Sequence, residues 1–189
     1  MKRILLLFCL AIPLLVSGQV VNIARTLPTR AFSLSPTAAW HVDNAVLLFD
    51  AGGPSFSLGA GYGLQYALDV NARYVYYLNG PDYMGIDLQY LLHESRYSYF
   101  AAVAGVHRWD NYGLDLTGLY TYTPRYYVNL SVGLDMDISF ASVVRPRFWV
   151  PLNAGFNLTE MIVLYVEYNL PVSQYSWDIF ALGATFIFR

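Results

Sequence analysis

The chain has 189 residues, a length typical of one domain, and its 11 basic and 13 acidic side chains give a formal charge of −2. Only 13% of the residues are charged, whereas 56% are hydrophobic and 17% are aromatic, which excludes a disordered chain and a basic nucleic-acid-binding protein. So little charge indicates that much of the surface faces something other than water.

Residues 1–18 have the layout of a secretory signal peptide. Two basic residues precede an apolar run over 4–16, and two small residues precede Gln19. The run is too short for a transmembrane helix, which needs about 20 apolar residues. We therefore expect export and cleavage after residue 18. The single cysteine, Cys9, would be lost with the signal, which leaves the mature chain without a disulfide or a thiol nucleophile.

The chain after the signal alternates with a period of two, as β-strands do. From Phe56 to Leu78 the even positions are apolar or aromatic, whereas the odd positions are mostly polar or small. The same parity continues to the end of the chain, and charged residues inside the predicted strands fall only on the odd face. No stretch reaches the roughly 18 consecutive apolar residues of a membrane helix.

A soluble sandwich would alternate in the same way, but its outer face would carry many charged residues. Here the polar face is poor in charge and rich in Gly, Ala and Ser, which suits a crowded barrel lumen. The sequence therefore predicts an all-β fold, a closed antiparallel transmembrane up-and-down β-barrel in the cell outer membrane.

A closed single-chain barrel has an even number of strands, and the alternating pattern yields nine segments. The segment 38–49 is the best candidate for the tenth strand. We predict ten strands, with the barrel over 38–189 behind a periplasmic lead-in over 19–37, and eight strands is the alternative. The nine segments lie near 55–66, 70–78, 84–92, 97–107, 113–122, 126–139, 147–157, 161–170 and 178–188.

Two further features bear on the strands. Pro151 falls inside a predicted strand, where its missing N–H predicts a bulge or a local gap. With both termini in the periplasm, the loops at the opposite end are short, which argues against a receptor or adhesin that displays large surface loops.

The aromatic last strand, 177–189, resembles the C-terminal strand by which outer-membrane barrels are recognised for insertion, although Arg189 closes the chain. The stretches 59–77 and 156–170 resemble the hairpins of small bacterial barrels of the OmpA and OmpW kind. This resemblance implies the barrel fold, an outer-membrane location, contact with outer-membrane lipid, and the barrel-assembly machinery as a partner during insertion. It carries no functional residue over to this chain.

Outward aromatic side chains are expected to form two girdles at the membrane boundaries. Tyr76 and Tyr168 belong to the boundary away from the termini, and the others belong to the periplasmic one. The predicted girdle residues are Tyr66, Tyr76, Tyr90, Tyr120, Tyr122, Tyr126, Tyr168 and Phe188.

The inward face is expected to hold a network of charges. The motif Gly-X-Asp occurs at 85–87, 113–115 and 133–135, and each copy places an inward Asp beside a Gly that frees space. Buried carboxylates without partners are costly, so ion pairs are expected. The predicted network comprises Arg73, Asp87, Asp115, Asp135, Arg147 and Glu167.

Turn positions predict specific neighbours within this network. Across a loop near 79–83, Arg73 and Asp87 lie within diagonal reach, and we expect Arg73 to bridge Asp87 and a second carboxylate. A turn at 123–125 would bring Asp115 and Asp135 together in the same way.

Other polar residues provide little chemistry. The triplet His93-Glu94-Ser95 could belong to a hydrolase, but neighbours on a strand point to opposite faces, and we interpret it as a solvated turn. His41 and His107 are isolated in the sequence, so no metal site and no cofactor is predicted.

The leading hypothesis for function is a non-catalytic structural or interaction component of the envelope, with an unknown protein partner and no role in nucleic-acid binding. The alternative is a narrow passive channel for small solutes, motivated by the inward Gly and Asp residues. A second alternative is a lipid-active barrel enzyme that uses His93 and Ser95. Because an eight- to ten-stranded barrel has little room beyond its own side chains, a filled lumen is favoured over an open one.

Overall fold

The computed structural model describes residues 23–42, 53–109, 111–141 and 144–189. The predicted signal peptide over 1–18 lies outside the described residues. No helix in the described part of the chain is long and apolar enough to cross a membrane.

The described residues form ten antiparallel strands that close into one barrel, as predicted. Each strand pairs with its neighbours in sequence, and β1 also pairs with β10, so that the sheet has no free edge. The strands are β1 (Phe32–Val42), β2 (Gly53–Gln65), β3 (Leu68–Tyr77), β4 (Tyr83–Glu94), β5 (Ser98–Trp109), β6 (Asn111–Arg125), β7 (Val128–Ser139), β8 (Arg145–Asn157), β9 (Ile162–Pro171) and β10 (Asp178–Phe188).

The first strand differs from its predicted position. It begins at Phe32, so residues 32–37 of the predicted lead-in belong to the barrel, and the part of the predicted strand beyond residue 42 lies outside the described residues. Residues 32–37 are difficult to recognise as a strand from the sequence, because Pro36 lies among them and proline is uncommon in the interior of a strand. The ladder between β1 and β10 has a local gap at Pro36, which pairs with Leu58 on the β2 side.

Burial follows the predicted parity. In β4 every odd position from Tyr83 to Leu91 is buried, and every even position from Met84 to Leu92 is exposed. The exposed faces carry large apolar side chains such as Leu58, which is 53% exposed, and Leu134, which is 56% exposed. The exterior is therefore apolar, whereas the interior holds polar, charged and aromatic side chains together, unlike the apolar core of a soluble sandwich.

Pro151 produces the predicted local gap. Gly133 and Leu134 in β7 have no ladder partners in β8, although the pairing resumes on either side in the same register. Pro151 itself is buried on the inward face. The missing N–H is therefore accommodated without a shift of the strand.

The N-terminal segment, residues 23–31, lies inside the barrel mouth at the end of the short turns. The Ala24 N–H donates to the Thr121 hydroxyl at 2.8 Å, and the Leu27 N–H donates to the Asp69 carboxylate at 2.6 Å. Ala24 is fully buried. Part of the predicted periplasmic lead-in thus fills the lumen.

Beside this segment lies a cavity of about 930 Å³, which we call the vestibule. Its wall is rich in amide and hydroxyl groups, contributed by strands and by the N-terminal segment. Wall residues include Ser33, Ser35, Asn71, Gln89, Asn129 and Asn157.

Gly63 provides a test of how the N-terminal segment is held. A Cβ at Gly63 would collide with the Pro28 carbonyl oxygen. Overpacking a tight contact costs about 1–3 kcal/mol. Gly63→Ala is therefore expected to accelerate amide hydrogen exchange at Ala24 and Leu27 by roughly tenfold or more.

Gly59→Ala is the matched control on the same strand and face, because a Cβ there would lie 3.4 Å from the Ser35 Cβ, an ordinary contact. Equal exchange rates in the two variants would show that Gly63 does not hold the segment in place.

Candidate functional site

The candidate site is a layer of ionisable side chains across the middle of the lumen, which we call the charged layer. Pairing of neighbouring strands sets its members side by side. Successive direct partners from β4 to β8 are Asp87, Gly105, Asp115, Asp137 and Arg147. The charged layer consists of Arg73, Asp87, His107, Asp115, Asp135, Asp137 and Arg147.

Arg73 and Asp87 form the ion pair at one side of the layer. The Arg73 Nη2 lies 3.0 Å from the Asp87 Oδ2, and the two side chains are 10% and 8% exposed. The direct ladder partner of Asp87 is Asn71, so the contact is diagonal. Among the described residues no second carboxylate pairs with Arg73, and the expected bridge is not formed.

Asp115 and Asp135 are diagonal neighbours across the ladder between β6 and β7, as expected. Asp115 is directly opposite Asp137, whereas Asp135 is opposite Thr117 and accepts a hydrogen bond from its hydroxyl at 2.5 Å. The turn lies at 126–127 rather than at 123–125, with a register shift after Tyr122, and this register sets Asp137 directly opposite Asp115.

The predicted network omitted two members of the charged layer, Asp137 and His107. The His107 Nδ1 lies 3.0 Å from the Asp115 Oδ2, and its Nε2 lies 3.6 Å from the Asp137 Oδ1. The three residues come from β5, β6 and β7, so they are close in space although His107 is isolated in the sequence. Its only sequence signal is that it shares the odd parity of the inward aspartates.

Neighbouring side chains orient this histidine. The Tyr83 ring stacks on the imidazole with centroids 5.3 Å apart, and the Tyr83 hydroxyl donates to the Asp115 Oδ2 at 2.7 Å. His107 faces Gly113 in the ladder, where a Cβ would collide with the His107 ring. The glycine of the predicted Gly-X-Asp motif therefore provides the space for the imidazole.

Arg147 lies at the far side of the layer. Its Nη1 is 3.6 Å from the Asp137 Oδ2, and its guanidinium carbon lies 4.4 Å from the centroid of the Trp109 ring. Glu167 is fully buried and accepts hydrogen bonds from Asn153 at 3.2 Å and Asn169 at 2.9 Å.

Aromatic rings cross the lumen next to the charged layer. Tyr77 stacks on Trp109 with centroids 5.5 Å apart, and Trp177 contacts Trp109 at 5.2 Å and Trp149 at 5.7 Å. Tyr77 is on β3 and Trp149 is on β8, which are opposite each other in a ring of ten strands. We call Tyr77, Trp109, Trp177 and Trp149 the aromatic bridge.

Hydrogen bonds hold Trp149 and Trp177 of the aromatic bridge in position. The Trp149 Nε1 donates to the Trp177 carbonyl at 2.9 Å, and the Trp177 Nε1 donates to the His41 Nδ1 at 2.8 Å. The His41 Nε2 in turn bonds the Ser55 hydroxyl at 2.7 Å. Trp177 lies in the loop before β10, so this loop folds inward and fills the lumen.

The eight predicted girdle residues all lie on the exterior. Tyr126 and Tyr66, in the turns at the end of the chain termini, are 85% and 71% exposed. Tyr76 and Tyr168, towards the other end, are 49% and 37% exposed.

The triplet His93-Glu94-Ser95 lies where β4 passes into a turn. The Ser95 hydroxyl bonds the Ser98 hydroxyl at 2.7 Å, and Glu94 accepts a hydrogen bond from Tyr66. These contacts do not form a nucleophile and base pair.

The chain is similar to a KdgM porin in complex with disordered oligogalacturonate, at 11% identity and a TM-score of 0.51, over 84% of this chain and 99% of that chain. A further KdgM porin structure matches at 11% identity and a TM-score of 0.49, with the same coverage. The N-terminal β-barrel domain of Pseudomonas aeruginosa OprF matches at 11% identity and a TM-score of 0.40, over 86% and 100%. No family model matches the chain, and neither does any curated protein.

At these identities the likeness shows the barrel fold alone. Membership of an OmpW-like subgroup stays a prediction.

The Arg73–Asp87 pair can be tested by a double-mutant cycle. Removing one partner of a buried ion pair leaves an uncompensated charge, so Arg73→Ala is expected to lower the free energy of unfolding by about 3–5 kcal/mol. Adding Asp87→Asn to the Arg73→Ala variant should restore much of the lost stability, because it removes the buried carboxylate that has no partner. The measurement is a denaturant titration of folding in lipid vesicles.

Arg189 and Glu160 provide the matched control, since they lie 3.1 Å apart with side chains 55% and 84% exposed. Their coupling should stay below about 1 kcal/mol. A coupling energy of zero within error for Arg73 and Asp87 would mean that the two charges do not interact.

Proposed function

We propose that this protein is exported through a cleaved signal peptide to the outer membrane, where it acts as a non-catalytic structural or interaction component of the envelope. Its lumen is closed to solutes. The observation that carries this proposal is the aromatic bridge, which joins opposite walls of a narrow barrel, with the charged layer directly beside it.

The membrane location is supported by the exterior. Leu88 and Ile86, near the middle of β4, are 48% and 56% exposed, and tyrosines surround the barrel towards both ends. An apolar band between aromatic girdles matches the hydrocarbon and interfacial zones of a bilayer. Lipid of the outer membrane is thus the first partner.

Insertion and envelope contacts are the other partnerships that we propose. The strand β10 presents Phe180, Phe186 and Phe188 to the outside, in the place where the barrel-assembly machinery reads a C-terminal strand. The unknown envelope protein partner would meet the barrel at one of its two ends, because lipid covers its sides.

Closure of the lumen is supported by how its contents are packed. Trp149 is 1% exposed and Trp177 is 5% exposed, although both point into what would be a pore. Opening a path would require breaking the ring contacts and the hydrogen bonds of Trp177 together.

A second candidate function, a narrow passive channel for small solutes, is favoured by one observation. The vestibule adjoins a further cavity of about 100 Å³ beside the charged layer, and the two share Ser33, Ser35, Asn71 and Gln89 in their walls. A similar barrel is a porin in complex with an oligogalacturonate. A channel in this chain would need the aromatic bridge to move.

Conductance in planar bilayers distinguishes the two functions. Wild type is expected to give almost no conductance steps, whereas combined Trp109→Ala and Trp177→Ala should produce steady ones, because two rings of the bridge are removed. Trp40→Ala with Tyr112→Ala is the matched control, since these rings are 49% and 72% exposed on the outer face. Steady steps in wild type would favour the channel.

Lipid contact can be tested with an arginine on each face. Leu88→Arg should lower the free energy of folding into vesicles by about 2–4 kcal/mol, because the cation meets hydrocarbon. Asn71→Arg is the control, since Asn71 lines the vestibule opposite Asp87 and should cost less. If Asn71→Arg proved the more damaging, the outer face would not lie in lipid.

A further inference from the structure

The charged layer contains more negative than positive fixed charge. Among the described residues, two arginines face four carboxylates, and His107 adds one charge only when it is protonated. Buried carboxylates need a counter-charge nearby. Either protons or a bound cation must therefore complete the layer, and the four carboxylates belong to Asp87, Asp115, Asp135 and Asp137.

Three members of the layer are arranged as metal ligands. His107, Asp115 and Asp137 each offer a ligand atom, and these atoms all lie within 4.8 Å of one another. All three residues are buried. One imidazole nitrogen with two carboxylate oxygens is a donor set that suits Zn²⁺ or Mn²⁺.

Buried atoms without hydrogen-bond partners also indicate a ligand site between His107 and Asp137. The His107 Nε2 and the Asp137 Oδ2 are buried without a hydrogen-bond partner, and the two side chains are 0% and 1% exposed, whereas the His107 Nδ1 lies 3.0 Å from the Asp115 Oδ2. The His107 Nε2 and Asp137 Oδ1 are 3.6 Å apart, too far for a hydrogen bond. Two ligands at about 2.0–2.2 Å from a shared zinc ion lie roughly 3–3.6 Å apart.

We propose that His107, Asp115 and Asp137 bind one divalent transition-metal ion in the lumen, with Zn²⁺ as the first candidate. This site is independent of the proposed envelope role and would tie β5, β6 and β7 together from the inside.

The surroundings of the site support metal binding in two ways. The Tyr83 hydroxyl donates a hydrogen bond to the Asp115 carboxylate at 2.7 Å, as outer contacts of metal ligands commonly do, and the Arg147 guanidinium lies 3.6 Å from the Asp137 carboxylate as an ion pair without a hydrogen bond. Asp115 also lines the cavity of about 100 Å³, which shares wall residues with the vestibule, so one ligand of the site borders open space in the lumen.

The test is metal binding by the whole folded barrel in detergent. Protein stripped with EDTA is dialysed against Zn²⁺, and the bound metal is measured by elemental analysis together with the thermal unfolding midpoint. Wild type is expected to retain one zinc ion per chain and to unfold at a higher temperature with zinc than without it. His107→Gln and Asp115→Asn should each weaken binding by about tenfold or more.

Two controls separate the site from a general loss of buried polar groups. His41→Gln removes a histidine that is 2% exposed but lies by the aromatic bridge, and Asp135→Asn removes a carboxylate held by Thr117. Both should keep one zinc ion per chain. Equal zinc retention by wild type and His107→Gln would overturn the proposal.

Wild type alone also decides the question if the ligand variants fail to fold. Stripped wild type is titrated with Co²⁺, whose visible absorption reports coordination by protein ligands, and Zn²⁺ should then remove that absorption by displacement. Absence of a Co²⁺ absorption band would overturn the proposal. Stabilisation of the stripped protein at low pH would then show that protons balance the negative charge of the layer.

Discussion

Closure of the sheet between β1 and β10 is the constraint on which the other features depend. An apolar surrounding offers no water to backbone N–H and C=O groups, so each must find a partner within the sheet. Pairing Phe32 with Phe188 on one side and with Tyr62 on the other removes the last free edge. A closed ring also gives every residue an inside or an outside, and a single parity then runs through all ten strands.

A ring of only ten strands makes the lumen narrow, so the inward side chains must pack against one another. Large rings fill one level as the aromatic bridge, and ionisable groups fill the next as the charged layer. Small residues make this possible at two points. A Cβ at Gly105 would collide with the Asp87 carboxylate, and one at Gly113 would collide with the His107 ring.

The two ends of the lumen differ as a consequence. Towards the loops, Trp177 folds inward and joins opposite walls, whereas towards the turns the vestibule remains beside the N-terminal segment. A solute entering the vestibule would meet the charged layer before the bridge. An envelope role therefore fits a barrel that is filled at one end, and a metal ion in the charged layer would add a link among three adjacent strands.

Parity alone determined a great deal, because the period of two is a local property of the chain. Nine of the strands, the inward aspartates and the outward tyrosines follow from it. The tenth strand was predicted from the even number that a closed barrel needs, and the gap at Pro151 from the missing N–H of proline. The first strand was misplaced for an equally local reason, since Pro36 interrupts a strand whose alternation from Phe32 to His41 is otherwise regular.

The sequence predicted the contact between Arg73 and Asp87, but only the tertiary structure decided the other contacts among inward residues. Direct lateral partners depend on the exact position of every turn and bulge, and the turn at 126–127 sets Asp115 directly opposite Asp137. The same lateral pairing brought His107 between two carboxylates from other strands. The entry of residues 23–31 into the lumen could not be read from alternation, because their hydrogen bonds reach partners as distant in sequence as Thr121.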